Sequence, residues 1–415
     1  MIDNPPLTKI LPLAWIFVIY EYTIRVSDSV ILTPLSLHLQ LDIADLSALS
    51  SAYYFTYVIF MLPAGILIDK FGLYKTWIYA ISLFTSGCAI FAWAPNLNIM
   101  IIARILMGIG SNFATVGTLA LVIHSKRRGL LIGISLALAS FGAFLGQGPW
   151  RLLSDLLNSW QTAYWLATAF SFSFLILWIY FGQQSQHLNI NVGFKRIFPS
   201  LKQLICSPTF ILLGFYIGAI NSPQSVFSAL WGTSFMHTAY SLPFESSAFF
   251  ISSFSIGSIF GGILLGLIGD LIINKHFKYT PIILCGCGLV SASIISIIIN
   301  SQISLDLLLF MLFLAGLITN ANAIVFAYIG SFFSTLPQAT TQASTNMCNM
   351  AGGTVLQLLI GMTLAQLTHH QLIEKTTKAE WQTVLYILPS CIVITSLSLL
   401  LLYVFQKSSN KKSAS

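Results

Sequence analysis

An all-α membrane protein of twelve transmembrane helices, in two six-helix halves with both termini cytoplasmic, is the fold class that this sequence predicts. Three observations lead there. Of 415 residues, 56% are hydrophobic and only 7% are charged, against roughly 25% charged in soluble domains. That leaves too little charge to build a water-facing surface, and the mean hydropathy of +0.84 agrees. The apolar residues also come in blocks of about 20 or more, the length a helix needs to cross lipid. Finally, the cations are sorted to one side. Fourteen of the nineteen Lys and Arg fall in segments that alternate helices place together, from Lys9 through Lys126–Arg128 to Lys407–Lys412. The other side holds Arg151, Lys375 and Lys378, and the remaining two cations, Arg25 and Arg104, lie inside helices. Positive charge marks the cytoplasmic side.

The elements follow from apolar blocks set against polar breaks. Helix 1 is expected over about 10–36, helix 2 over about 46–68 and helix 3 over about 75–94. Helices 4, 5 and 6 are expected over about 98–122, 129–149 and 161–182. Helices 7 to 12 are expected over about 208–232, 246–269, 280–299, 304–331, 344–367 and 382–405. The domain expectation is a half at 1–182, a cytoplasmic linker at 183–203, a second half at 204–405 and a tail at 406–415. The first block contains Glu21, Arg25 and Asp28, which the apolar core of a cleavable leader would not tolerate, so it is expected to stay as helix 1.

A formal net charge of +7 raises nucleic acid as a partner. The cations sit in short connectors between apolar blocks, not on one exposed face, and no nucleic-acid partner is expected. The six cysteines lie in or beside apolar blocks, and Cys285-Gly286-Cys287 reads as packing. No metal and no cofactor are expected. No phosphate-cradling Gly-rich loop is present, which argues against ATP-driven pumping. No nucleophile–base or metal constellation points to an enzyme.

The helix 2–3 loop reads Gly65-Ile66-Leu67-Ile68-Asp69-Lys70-Phe71-Gly72-Leu73-Tyr74-Lys75. Gly65 lets helix 2 pack closely, Gly72 permits a sharp turn, and Asp69 can cap or pair with a neighbouring helix end. A partial echo, Gly266-Leu267-Ile268-Gly269-Asp270, ends helix 8, with Asp270 201 residues after Asp69. There Leu271 and Ile273 replace the base and the second Gly, so only half of the element is expected. The first loop resembles the G-x-x-x-D-[RK]-x-G-x-x-[RK] motif of the major facilitator superfamily at every fixed position. Arg104-Ile105-Leu106-Met107-Gly108-Ile109-Gly110 is similar to that family's R-x-x-x-G-x-G pattern. Trp160-Gln161 looks like its Trp-Arg pair with the Arg replaced. Gly142 to Pro149 is only loosely like the Gly-Pro motif of the drug-antiporter branch, with the Pro displaced, which argues against drug efflux. Tyr20 to Val30 resembles a bacterial branch related to lysosomal dipeptide and phagosomal amino-acid carriers.

The resemblance implies a central cavity lined by helices 1, 4, 7 and 10, and a gating role for Gly65, Asp69, Lys70, Gly72, Lys75 and Asp270. Four ionisable residues lie at membrane depth, where charge is expensive and usually functional. Glu21, Arg25 and Asp28 share one helix face, ~16, ~22 and ~27 Å from the cytoplasmic end. Arg104 enters from the opposite side, ~9 Å below the outer boundary. These charges read as Glu21/Arg25 and Asp28/Arg104 pairs. They are either a structural lock between helices 1 and 4 or a site that binds protons and substrate, with Glu21 the first choice for the proton. Asn221 and Gln224 in helix 7 and Asn320 and Asn322 in helix 10 are expected to hydrogen-bond the solute; Asn346 and Asn349 in helix 11 are further candidates. The expected function is alternating-access secondary transport of a small polar organic solute (amino acid, dipeptide or organic anion), coupled to protons. Alternatives are an uncoupled facilitator of the same fold and a drug or metabolite efflux antiporter. The expected setting is a bacterial inner membrane, as a multi-pass monomer.

Overall fold

The computed structural model of the protein describes residues 5–27, 43–123, 125–146, 148–188, 194–300, 302–367 and 376–412. Among the described residues every regular element is a helix. Ten continuous helical stretches there are long and apolar enough to cross a membrane. One of them, Phe249–Asn300, runs through two of the expected spans, and expected helix 1 is not among the ten.

The first part of the chain forms α1 (Pro5–Val26), α2 (Ile43–Phe71), α3 (Leu73–Trp93), α4 (Leu97–Val122) and α5 (Arg128–Leu145). A short α6 (Gly148–Leu156) and then α7 (Trp160–Phe181) follow. Next come a 3₁₀ stretch over Gly182–Leu188 and α8 (Phe194–Ile205), an amphipathic helix inside what reads in sequence as a polar linker. Then come α9 (Pro208–Ile220), a π-helical stretch over Pro223–Trp231, and α10 (Gly232–Ala239). The chain continues through α11 (Phe244–His276), α12 (Thr280–Asn300), α13 (Leu305–Thr319) and α14 (Asn322–Phe332). It closes with α15 (Gln338–Leu367), α16 (Lys378–Leu385) and α17 (Ile387–Lys412).

Four expected helices are interrupted, and the causes are local. A proline cannot donate to the carbonyl four residues earlier, and its ring crowds it. Pro149, Pro223 and Pro389 match three of the breaks: α5 stops at Leu145, α9 at Ile220 and α16 at Leu385. At the middle break the Ser222 hydroxyl donates to the Ala219 carbonyl, 2.7 Å away, to which Pro223 has no N–H to offer. The fourth break, between α13 and α14, has no proline. There the Asn320 amide donates to the Ser258 carbonyl and hydroxyl and to the Gly316 carbonyl. Pro12 and Pro63, by contrast, sit inside continuous helices. Expected helix 11 begins six residues early, at Gln338, because its first turns are polar yet buried: Gln338, Thr340, Thr341, Gln342 and Ser344.

The chain forms two compact units. The first comprises Met1–Lys126, Leu138–Leu201 and Ser334–Ser344. The second comprises Arg127–Ala137, Lys202–Phe333 and Thr345–Ser415. Aromatic packing centres the first unit, with Phe17 against Trp77, Phe84 and Phe174, and Trp77 against Trp178. Trp77 Nε1 donates to the Phe113 carbonyl at 2.8 Å, so the buried indole is satisfied. In the second unit Phe227, Phe235, Leu312, Trp381 and Leu388 belong to one apolar core.

Candidate functional site: a buried charge cluster and two carboxylate helix caps

α1 turns about 100° per residue, so residues four apart share a face. Glu21 and Arg25 use that spacing to form a buried ion pair, exposed 0% and 3%. Arg25 Nε donates to Glu21 Oε1 at 3.0 Å, and Nη2 donates to the same oxygen. The Tyr53 hydroxyl of α2 donates to it as well, at 3.1 Å. Three donors therefore converge on Oε1, while Oε2 is buried with no hydrogen-bond partner. The Arg25 guanidinium lies between the rings of Tyr22 and Tyr57, 4.0 Å from each centroid. Cation–aromatic contact of this kind favours the charged guanidinium and helps hold it in place.

Arg104 reaches the cluster from α4 and is fully buried. It donates to the carbonyls of Ile24 and Arg25, at 3.3 and 3.1 Å. These belong to the last turn of α1, where carbonyls lack a partner within the helix, and a cation there complements the helix dipole. Its guanidinium also sits 4.6 Å from the Tyr53 centroid. Gly108, one turn along α4, explains how the tyrosine comes so close. A Cβ there would meet the Tyr53 carbonyl and the Thr56 hydroxyl, so only a glycine lets α2 approach. Asp28, the expected partner of Arg104, lies outside the described residues.

Further polar groups continue down α4. Ser111, Asn112 and Thr118 are buried, and Asn112 Oδ1 and the Thr118 hydroxyl have no hydrogen-bond partner. Sequence reasoning missed them. Their spacing from Arg104, a polar or glycine residue every three or four positions, was the available signal.

The second unit contains the candidate amides. Asn221 caps the C-terminus of α9, and its carbonyl accepts from the Gln224 and Ser225 amides. Gln224 Oε1 lies 3.5 Å from the Ser258 hydroxyl, which donates to it. Asn320 is the structural clamp described above. Asn322 Oδ1 is buried without a partner. Asn349 donates to Asn346 Oδ1 at 3.4 Å, leaving Asn346 Nδ2 and Asn349 Oδ1 without partners. No group of three His, Cys, Asp or Glu among the described residues could hold a metal.

Within the first unit, Asp69 caps α15. Its Oδ1 accepts from the Ala339 amide at 3.1 Å and its Oδ2 from the Thr340 amide at 2.6 Å. Those amides belong to a first helical turn, whose N–H groups have no partner within their own helix. Gly65, one turn back on α2, lies against Ala339, Thr340 and Ala343, where a Cβ would clash. Gly72 has φ 79°, left-handed backbone that favours glycine, and there the chain turns from α2 into α3. Lys70 lies over the Phe71 ring and Lys75 is exposed.

Within the second unit, Asp270 makes the same two bonds to α5. Its Oδ1 accepts from the Gly129 amide at 2.6 Å and its Oδ2 from the Leu130 amide at 3.0 Å. The half of the element that the second copy keeps includes this carboxylate. Capping needs only two oxygens aimed at a helix start, and the missing base and glycine belong to the turn, which α11 does not make.

The sequence matches the Major Facilitator Superfamily over residues 13–357. It is 29% identical over 120 residues to the multidrug resistance protein Stp of Mycobacterium tuberculosis, a segment covering 28% of this chain and 22% of that protein. It is 25% identical over 159 residues to an uncharacterized MFS-type transporter of the same species, covering 36% of this chain and 27% of that one. The matched segments thus span about a quarter of these relatives' lengths. Among solved structures it resembles a variant of the E. coli fucose:proton symporter FucP, with TM-score 0.67 and 13% identity over 94% of this chain and 98% of that one. FucP in the outward conformation gives TM-score 0.65 and 15% identity over 94% of this chain and 99% of that one.

Proposed function

The chain belongs to the Major Facilitator Superfamily, a multi-pass membrane transporter and not an enzyme, and from that premise we propose that it carries a small polar organic solute by alternating access, coupled to protons through Glu21. The solute is an amino acid, a dipeptide or an organic anion, and the setting is a bacterial inner membrane, where the chain works as a monomer.

The support for the proton is the uneven carboxylate. Glu21 Oε1 carries three donors and the buried Oε2 carries none. A buried charge is costly, and with Oε1 taken by three donors, Oε2 is the oxygen left open to a neutralising proton. With Oε2 protonated, Glu21 loses its charge and Arg25 keeps one. The stacked guanidinium then has a positive charge to offer a substrate carboxylate. Release of that carboxylate restores the pair when the proton leaves. Asp69 and Asp270 act in gating, each tying a helix start that the transport cycle releases. The likeness to a fucose:proton symporter is consistent with proton coupling. The relative named for multidrug resistance favours a second reading, export of drugs or metabolites by exchange with protons.

A ligand found by thermal shift from a panel of amino acids, dipeptides and organic anions allows the test. In proteoliposomes the Glu21→Gln protein is expected to exchange labelled ligand across the bilayer. It is expected to lose accumulation driven by an imposed pH gradient. Normal accumulation by that variant would exclude the proton role and leave the cluster as a lock between α1 and α4.

A further inference from the structure

α9 and α15 pack backbone to backbone inside the second unit. A Cβ on Gly218 would lie 3.0 Å from both the Cys348 carbonyl and the Gly352 Cα. One turn earlier, a Cβ on Gly214 would lie 3.1 Å from Cys348 Sγ. The three glycines keep bulk out of this contact, and Gly214, Gly218 and Gly352 line an apolar groove of about 500 Å³. Its flanks stand out from the protein, with Phe215 exposed 67% and Val355 54%.

In a chain that spans a bilayer, such flanks face hydrocarbon. An apolar groove offers water no partners, and a lipid chain is what surrounds it. The groove lining on α9 runs from Phe210 to Ala219, a rise of about 14 Å, close to one leaflet of a ~30 Å core. That is the length of one acyl chain's leaflet, not of a whole span.

The end of the groove selects the headgroup. Ile205, which lines it, is the last residue of α8. One turn before it stands Lys202, exposed and on the neighbouring helix position. No ion pair involves Lys202 among the described residues. The same helix contributes Lys195 and Arg196 in its first turn and contains no acid. In sequence, no acidic residue occurs between Asp155 and Glu245. Apolar residues recur through α8 at Phe194, Ile197, Phe198, Leu201, Leu204 and Ile205, the pattern of a helix lying in a membrane interface. By the cation distribution this end is cytoplasmic, the side where anionic lipids attract basic segments.

We propose that this groove binds an anionic phospholipid of the cytoplasmic leaflet, with one acyl chain against Gly214, Gly218 and Gly352 and the phosphate on Lys202. The site is independent of the solute and proton chemistry proposed above. It gives α8 a purpose that a polar linker would not need.

The test uses the full chain in lipid nanodiscs, with phosphatidylglycerol or phosphatidylcholine carrying a photoreactive acyl chain at equal concentration. Crosslinked peptides are located by mass spectrometry. Phosphatidylglycerol is expected to label the peptides carrying Phe215 and Val355 about fivefold more than phosphatidylcholine, the ratio one lysine's attraction to an anionic lipid corresponds to. Lys202→Glu, at an exposed position, is expected to reduce phosphatidylglycerol labelling to the phosphatidylcholine level. Ala351→Phe, which fills the groove, is expected to remove labelling by both lipids. Equal labelling of the unaltered protein by the two lipids would overturn the proposal. So would a phosphatidylglycerol preference that survives Lys202→Glu, or an unlabelled groove accompanied by a dimer in native mass spectrometry.

Discussion

Asp69 and Asp270 perform the same act in different surroundings. Each places its two oxygens on two successive amides at the start of another helix. Around Asp69 the chain then stops: α2 ends at Phe71 and Gly72 turns it into α3. Around Asp270 the chain runs on, and α11 continues to His276. The helices beneath the caps differ too. Gly65 meets the alanines of α15, whereas Gly129 and Gly133 of α5 meet Gly262 and Gly266 of α11, glycine against glycine. The difference separates the motif into its parts. The aspartate caps, the glycine one turn before it sets the approach, and the residues after it make a turn only where a turn is needed.

The largest test of this comparison strikes the glycine seam. A Cβ at Gly133 would overlap the Gly262 carbonyl, and neither helix has a flexible side chain there to give way. Gly133→Val is expected to lose most of the folded protein, at the upper end of the ~1–3 kcal/mol that overpacking costs. Gly65→Ala, facing alanine, should cost less. Thermal unfolding of the two purified variants checks the order. If Gly65→Ala is the more damaging, the second seam is not the closer one.

Next come the caps themselves. Asp69→Asn and Asp270→Asn each keep one acceptor oxygen and lose the charge. Each is expected to cost about 1 kcal/mol at the helix it caps and to slow transport while leaving ligand binding within about twofold. Initial rates in vesicles, set beside ligand thermal shifts, measure both. Should Asp69→Asn slow transport and Asp270→Asn leave it untouched, the function belongs to the turn and not to the cap.

The smallest effect on transport is expected at the turn. Gly72→Ala forces a side chain onto backbone at φ 79° and ψ 162°, a combination essentially confined to glycine, at about 1–3 kcal/mol, without touching either cap. A modest fall in melting temperature, with the capped helices still protected from amide exchange, is the expected result. Loss of protection at Ala339 and Thr340 would mean that the turn and the cap are one unit.

Hydropathy made most of the helices and their order legible, because lipid forces apolar runs of fixed length. Three of the four breaks lie at prolines, yet Pro12 and Pro63 sit inside continuous helices, so a proline by itself did not mark where a helix would break. The Glu21–Arg25 pair followed from helical spacing alone. Other features waited for the tertiary structure. The polar first turns of α15 read as a connector because hydropathy cannot tell a buried Gln or Thr from an exposed one. The break at Asn320 depends on Ser258, 62 positions away. Arg104 finds backbone carbonyls of α1, and Asp270 finds backbone amides of α5; every residue has such a carbonyl and every residue but proline such an amide, so they leave no mark in a sequence. Residue chemistry fixed which groups needed partners at membrane depth, and only packing could decide which backbone atoms came within reach.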